Sequence, residues 1–258
     1  MKKTTFSLIA ILALGHLAYA GGDIAPVEPA VETPVVEDTN TWKNEVTIYG
    51  WIPSISANTP FPDSDDGSVD AEDIIDDLKM VFMGNYSGRN DTWSVFGDLV
   101  YVDLGNSANH TFPNNDVALV SMDMKALLIN AGVGYNLIDT GDGILDLVGG
   151  VRYLDLEVDV RTQGHIGRDI SGSEDFTDFF IGVKGYKNIN ANWYIPYEAD
   201  IGTGDSELSW QVFAGVGYRY NWGDIKLGYR YLEYDMEDGA IVEDLSLSGA
   251  ILGASIKF

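Results

Sequence analysis

Two histidines follow the first twenty residues, His110 and His165, and each stands in a stretch that also holds serine and aspartate. An imidazole oriented by a carboxylate can activate a serine hydroxyl or a water for hydrolysis or acyl transfer. No motif ties either histidine to a serine or an acid, so both read as solvated loop residues. No catalytic residue is assigned, and the chain is expected not to be an enzyme. A second candidate is the acidic stretch 61–79, FPDSDDGSVDAEDIIDDLK. Calcium would suit such oxygens, but the EF-hand pattern fails. With Gly67 as the turn glycine, Pro62 would take the first ligand position and Asp73 would stand where the bidentate Glu belongs. The stretch reads as a solvated acidic loop whose end, Asp70 to Lys79, forms a short helix with Ile74, Ile75 and Leu78 on one face. The chain has no cysteine, which removes disulfides and thiolate metal sites. No cofactor or metal site is assigned.

The third candidate is a set of charges at alternating positions. Asp98, Asp146, Asp178, Glu198 and Asp200 supply acids, and Arg152, Lys184, Arg219, Lys226 and Arg230 supply bases. Most sit beside apolar residues in segments that alternate with period two. In 210–220 one face carries Trp210, Val212, Ala214, Val216, Tyr218 and Tyr220; the other carries Gln211, Phe213, Gly215, Gly217 and Arg219. Side chains of a strand point to opposite faces in turn, so one face is greasy and the other small or charged. Ile225, Leu227, Tyr229 and Tyr231 repeat the pattern against Lys226, Gly228 and Arg230. Trp193, Ile195, Tyr197, Ala199 and Ile201 repeat it against Glu198 and Asp200.

About ten such segments follow one another: 45–56, 79–89, 92–104, 117–138, 143–160, 175–188, 192–202, 207–221, 224–235 and 243–258. Most match the roughly 9–11 residues a tilted strand needs to cross a bilayer. Their connections alternate. Tight Asn, Asp and Gly turns (89–91, 139–142, 188–192, 221–224) take turns with mostly longer loops (57–78, 105–116, 161–174, 203–206, 236–242). This predicts an all-β fold, a closed antiparallel transmembrane barrel of about ten strands with eight as the alternative, its apolar face on lipid and its charged face in the lumen. Aromatic residues near strand ends, among them Trp93, Tyr135, Trp193, Trp210 and Tyr231, suit the two bilayer interfaces. Where the apolar face turns charged, at Asp123 and Lys125 and at Asp155, Glu157 and Asp159, the strands are expected to rise above the bilayer or to bulge.

The ends of the chain agree with this reading. Met1-Lys2-Lys3, an apolar stretch from Phe6 to Leu17, and Ala18-Tyr19-Ala20 form a signal peptide over 1–20, expected to be cleaved after Ala20. Residues 21–44, rich in Pro, Glu, Val and Thr, read as an acidic periplasmic linker. The barrel is expected over 45–258. A formal charge of −25 disfavours nucleic acid as a partner. With 45% hydrophobic and 12% aromatic residues, the chain is no disordered polymer.

An internal repeat adds to the pattern. Ala131-Gly-Val-Gly-Tyr135 returns as Ala214-Gly-Val-Gly-Tyr218, and each leads through a turn into Gly-x-Arg-Tyr-Leu, at 150–154 and 228–232. The inward Gly-x-Gly pairs leave room where a curved strand needs it. With these hairpins, Trp51-Ile52-Pro53 in the first strand and a terminal Phe258, the chain resembles small bacterial outer-membrane barrels of the OmpA and OmpW type. The resemblance implies a bacterial outer-membrane location and lipids and lipopolysaccharide as surroundings. It also implies that the last strand, with Phe258 as its signal, is read by the barrel-assembly machinery. Expected roles are structural or narrow-pore, with a charge-paired interior. The alternatives are an enzyme acting at the outer rim on lipid A or peptides, and a ligand-binding or adhesin-like barrel.

Overall fold

The computed structural model describes residues 41–58, 67–69, 77–111, 117–163, 169–236 and 244–258. Eleven strands run through them: β1 (Lys43–Asn58), β2 (Gly67–Val69), β3 (Leu78–Arg89), β4 (Trp93–Thr111), β5 (Val117–Thr140), β6 (Gly143–Gln163), β7 (Asp169–Asn188), β8 (Trp193–Gly204), β9 (Leu208–Arg219), β10 (Asp224–Asp235) and β11 (Asp244–Lys257). From β3 to β11 each strand pairs antiparallel with the next. β1 closes the sheet through a long ladder to β11, from Glu45↔Lys257 to Asn58↔Asp244. On its other edge β1 meets β3 over only Lys43–Ile48, and the short β2 over Ile55–Ala57. Ten strands therefore make the barrel wall, and β2 is an addition at one rim. Closure satisfies most of the edge groups that an open sheet would leave unpaired in hydrocarbon, the stretch of β1 between its ladders to β3 and β2 excepted.

Both ends of the described chain lie at one mouth, where Asn44 and Phe258 exchange backbone hydrogen bonds of 2.9 Å. The tight turns at 90–92, 141–142, 189–192 and 220–223 lie at this mouth. Asn90 and Asn190 each use a side-chain oxygen to accept backbone N–H groups two and three residues on, the Asx geometry that reverses a chain in few residues.

Several expectations need correction. Lys43 and Asn44 belong to β1, so the barrel begins inside the stretch read as linker. β4 continues into the expected loop 105–116, and β6 and β7 into the expected loop 161–174. Those extensions are polar on both faces and lose the period-two signal, yet backbone pairing needs no apolar face. Of the helix expected over 70–79, residues 70–76 lie outside the described residues. Asp77 is a turn, and Leu78 and Lys79 already belong to β3. The signal peptide, the linker up to residue 40 and His165 also lie outside them. His110 falls on β4 with its side chain undescribed.

Candidate functional site: the divided lumen

The outward face is an apolar belt. Ile48, Val133, Phe179, Ile181, Ile201, Leu227, Leu252 and Ile256 are all more than half exposed, on strands all round the wall. Rings bound the belt on both sides. At the turn mouth Trp93 packs on Tyr135 (centroids 5.2 Å apart), Trp193 on Tyr218 (4.8 Å) and Tyr220 on Trp222 (5.7 Å). Toward the other mouth Trp210 stacks on Tyr231 at 4.8 Å. A hydrophobic face this large on a closed sheet, edged by Trp and Tyr, suits lipid and not water. This chain is a transmembrane β-barrel. Beyond Tyr101 and Tyr153 the outward face of β4–β7 turns charged, with Lys125 3.5 Å from Glu157 and Lys79 paired to Asp123. Ionised groups there would not tolerate hydrocarbon, which places these strand ends above the bilayer.

No protein-family model and no curated protein matches the sequence. Among solved structures, the barrel is similar to the translocator domain of the autotransporter NalP from Neisseria meningitidis. The two are 13% identical, 86% of this chain and 90% of that chain are covered, and the TM-score is 0.48. It is also similar to the outer-membrane protease OmpT from Escherichia coli (10% identical, 85% and 97% covered, TM-score 0.47). A third is Ail, the attachment invasion locus protein of Yersinia pestis (15%, 84% and 98%, TM-score 0.38). Likeness at these identities concerns the architecture alone.

Inside, the lumen has three levels. At mid-height six side chains from six strands close a ring. Arg230 donates to Asp98 (3.1 Å) and to Gln211 (2.8 Å); Gln211 donates to Asp200 (3.0 Å). Arg152 donates to Asp200 (2.6 Å) and to Asn130 (2.8 Å), and Asn130 returns to Asp98 at 3.5 Å. Tyr49 adds a hydrogen bond to Asp98 (2.9 Å) from β1. Arg152 and Asp200 bury their side chains completely. Arg152 also lies over the Phe180 ring and Arg230 over the Trp51 ring, at 5.2 and 4.8 Å, where a cation meets the negative face of the π system. A buried ion costs several kcal/mol unless it is paired and hydrogen-bonded. Reciprocal pairing meets most of that demand here, and Arg152 Nη1 is the one nitrogen of this ring left buried without a hydrogen-bond partner among the described residues.

Between the ring and the turn mouth lies a vestibule of about 690 Å³. Its wall carries Lys184 bonded to Glu198 (2.6 Å), and Asp146 accepting from Ser94 (2.8 Å) and Asn136 (2.9 Å) with Arg89 at 3.6 Å. Lys226 pairs with Glu45, and Asp224 accepts from Lys257 (2.6 Å) and Tyr194 (2.7 Å). Arg219 lays its guanidinium over Tyr194 and Tyr186. Gly217 makes room for this stack: a Cβ there would stand 2.3 Å from the Tyr194 ring.

On the far side of the ring the lumen is apolar. Trp51, Met83, Val100, Leu128, Leu154, Leu156, Leu232, Tyr234, Met236 and Leu245 form one buried cluster, with Leu232 at 0% exposure. All ten charged residues singled out in the sequence lie on the barrel strands, but two have other partners than a countercharge. Asp178 stands opposite Arg152 in the ladder, yet it accepts from the backbone N–H (3.0 Å) and hydroxyl (2.5 Å) of Ser206 in the β8–β9 turn. Arg219 is held by tyrosine rings. Sequence reasoning missed Glu45, Tyr49, Asn130, Asp224 and Lys257, and placed Gln211 on the inward face without giving it a role. Glu45 and Tyr49 share the inward parity of Trp51, and Lys257 lies opposite the outward Ile256, so alternation alone could have found them.

Proposed function

We propose that the chain is a bacterial outer-membrane barrel, exported by a cleaved signal peptide, that keeps its lumen shut along the axis. The observation that carries this reading is the Asp98–Arg230–Gln211–Asp200–Arg152–Asn130 ring, with a dry apolar cluster beyond it. Water in the vestibule meets two ion pairs joined by the Gln211 and Asn130 amides, then a layer of leucines. Ten strands leave a bore that side chains can fill, whereas open channels need about sixteen. The role is structural and ligand-binding, without free conduction. Conductance of the refolded chain in planar bilayers tests it, with insertion checked by the migration shift of unheated barrels. No discrete current steps are expected. Regular steps from wild-type protein would overturn the proposal.

A further inference from the structure

The wall has one weak seam. The β1–β3 ladder stops at Ile48↔Gly84, and β2 takes up the same edge of β1 only at Ile55. Between them, Tyr49–Ser54 has no strand partner on that side among the described residues. In an antiparallel strand alternate residues turn their backbone groups to opposite neighbours. Asn44 bonds to Phe258, the residue after β11, so the odd residues Tyr49, Trp51 and Pro53 face β3. Proline has no N–H to give. The Trp51 N–H reaches the Met83 sulfur at 3.0 Å, a side chain in place of a strand carbonyl. Gly50, pointing outward in this stretch, has nothing within 4 Å of where a Cβ would stand.

Behind the seam lies a cavity of about 480 Å³. Inward residues line it, among them Val100, Leu128 and Leu156, and so do outward ones, Ile52 and Phe82. It therefore passes through the wall. Its lining is aliphatic and aromatic apart from the backbone, the Met83 and Met124 sulfurs, the Trp51 indole N–H and Tyr49, whose hydroxyl is already engaged by Asp98 at the floor. The mouth opens at belt depth: Gly50 lies beside Leu252 and Ile52 beside Ala250 on lipid-facing β11. Apolar cavities stay dry and take up apolar molecules, and a volume in the range of roughly 300–1,000 Å³ suits a small ligand. At this depth the molecules at hand are lipid chains.

We infer that a hydrocarbon chain of a membrane lipid enters sideways between β1 and β3 and is held in this chamber. The inference rests on the membrane reading above. The ring forms the floor, so the chain is admitted from the bilayer without a path to the vestibule.

The test uses the full barrel refolded in vesicles containing a phosphatidylcholine with a diazirine at the end of one acyl chain. Photolysis is followed by mapping of adducts by mass spectrometry. Adducts are expected on inward Val100, Leu128 and Leu156 as well as on outward Leu227 and Leu252. Ala126→Phe, which places a ring in the chamber, should abolish the inward adducts and leave the outward ones. Val102→Phe serves the same purpose if the first variant does not fold. Outward adducts without inward ones in wild type would overturn the chamber alone, as would inward adducts that survive a folded filling variant. A barrel with adducts at neither set would overturn the membrane reading beneath it.

Discussion

Arg152 offers the sharpest test of the ring. Its guanidinium reaches Asp200 at 2.6 Å and Asn130 at 2.8 Å, with both ion-pair side chains fully buried. Arg152→Leu keeps much of the volume but leaves the Asp200 carboxylate with Gln211 as its remaining partner in the ring. Removing one member of a buried pair costs about 3–5 kcal/mol, because the other charge stays desolvated. Asp200→Leu should cost a similar amount for the mirror reason. The double variant should be more stable than the sum of the singles requires, by about 2 kcal/mol or more, since no charge is then stranded. Reversible urea unfolding of the barrel in vesicles, at matched lipid composition, measures all three. Losses under about 1 kcal/mol for each single, the size of an exposed pair, would refute the idea of a sealed ring. Additive losses in the double would refute the pairing.

Three further outcomes follow from other parts of the barrel. Leu232→Ala, in the apolar cluster at 0% exposure, should lower unfolding stability by about 2–5 kcal/mol in the same assay. Leu227→Arg, on the lipid face, should cost about 2–4 kcal/mol in vesicles, whereas Glu157→Gln on the charged rim should leave stability unchanged within about 0.5 kcal/mol. Gly217→Ala forces a Cβ into the Tyr194 ring and should cost about 1–3 kcal/mol, with a changed tyrosine near-ultraviolet signal. An unchanged spectrum there would mean that the ring is not packed on the glycine.

The wall was largely legible in the sequence, and for a simple reason. A strand with lipid on one side and charge on the other must alternate, so each belt segment announces itself and its parity. The tight turns were legible through Asn, Asp and Gly. Beyond the belt, water meets both faces of β4–β7, the alternation fades, and the strand extensions read as loop. β2 is three residues, Gly-Ser-Val, in an acidic stretch and carries no pattern at all. The charged residues of the lumen could be named one by one, but their partners could not. Lys226 meets Glu45 across 181 residues, and Arg230 meets Asp98 across 132. Such pairs depend on the register of the closing strands and on how a tilted barrel stacks them. The ladder puts Asp178 opposite Arg152, yet Arg152 turns to Asp200, a choice set by side-chain reach inside a narrow bore.

The central claim is that alternate residues of each strand touch lipid. The absence of native cysteine makes it directly measurable, since single cysteines can be placed at will. Spin labels along 225–231 and 249–256, read for accessibility to membrane-soluble oxygen and to a water-soluble nickel chelate, should alternate with period two. Oxygen should dominate at 225, 227, 229, 252, 254 and 256, and neither reagent should reach 230 or 249. Uniform access by the nickel chelate at the first set, or no alternation, would contradict the account.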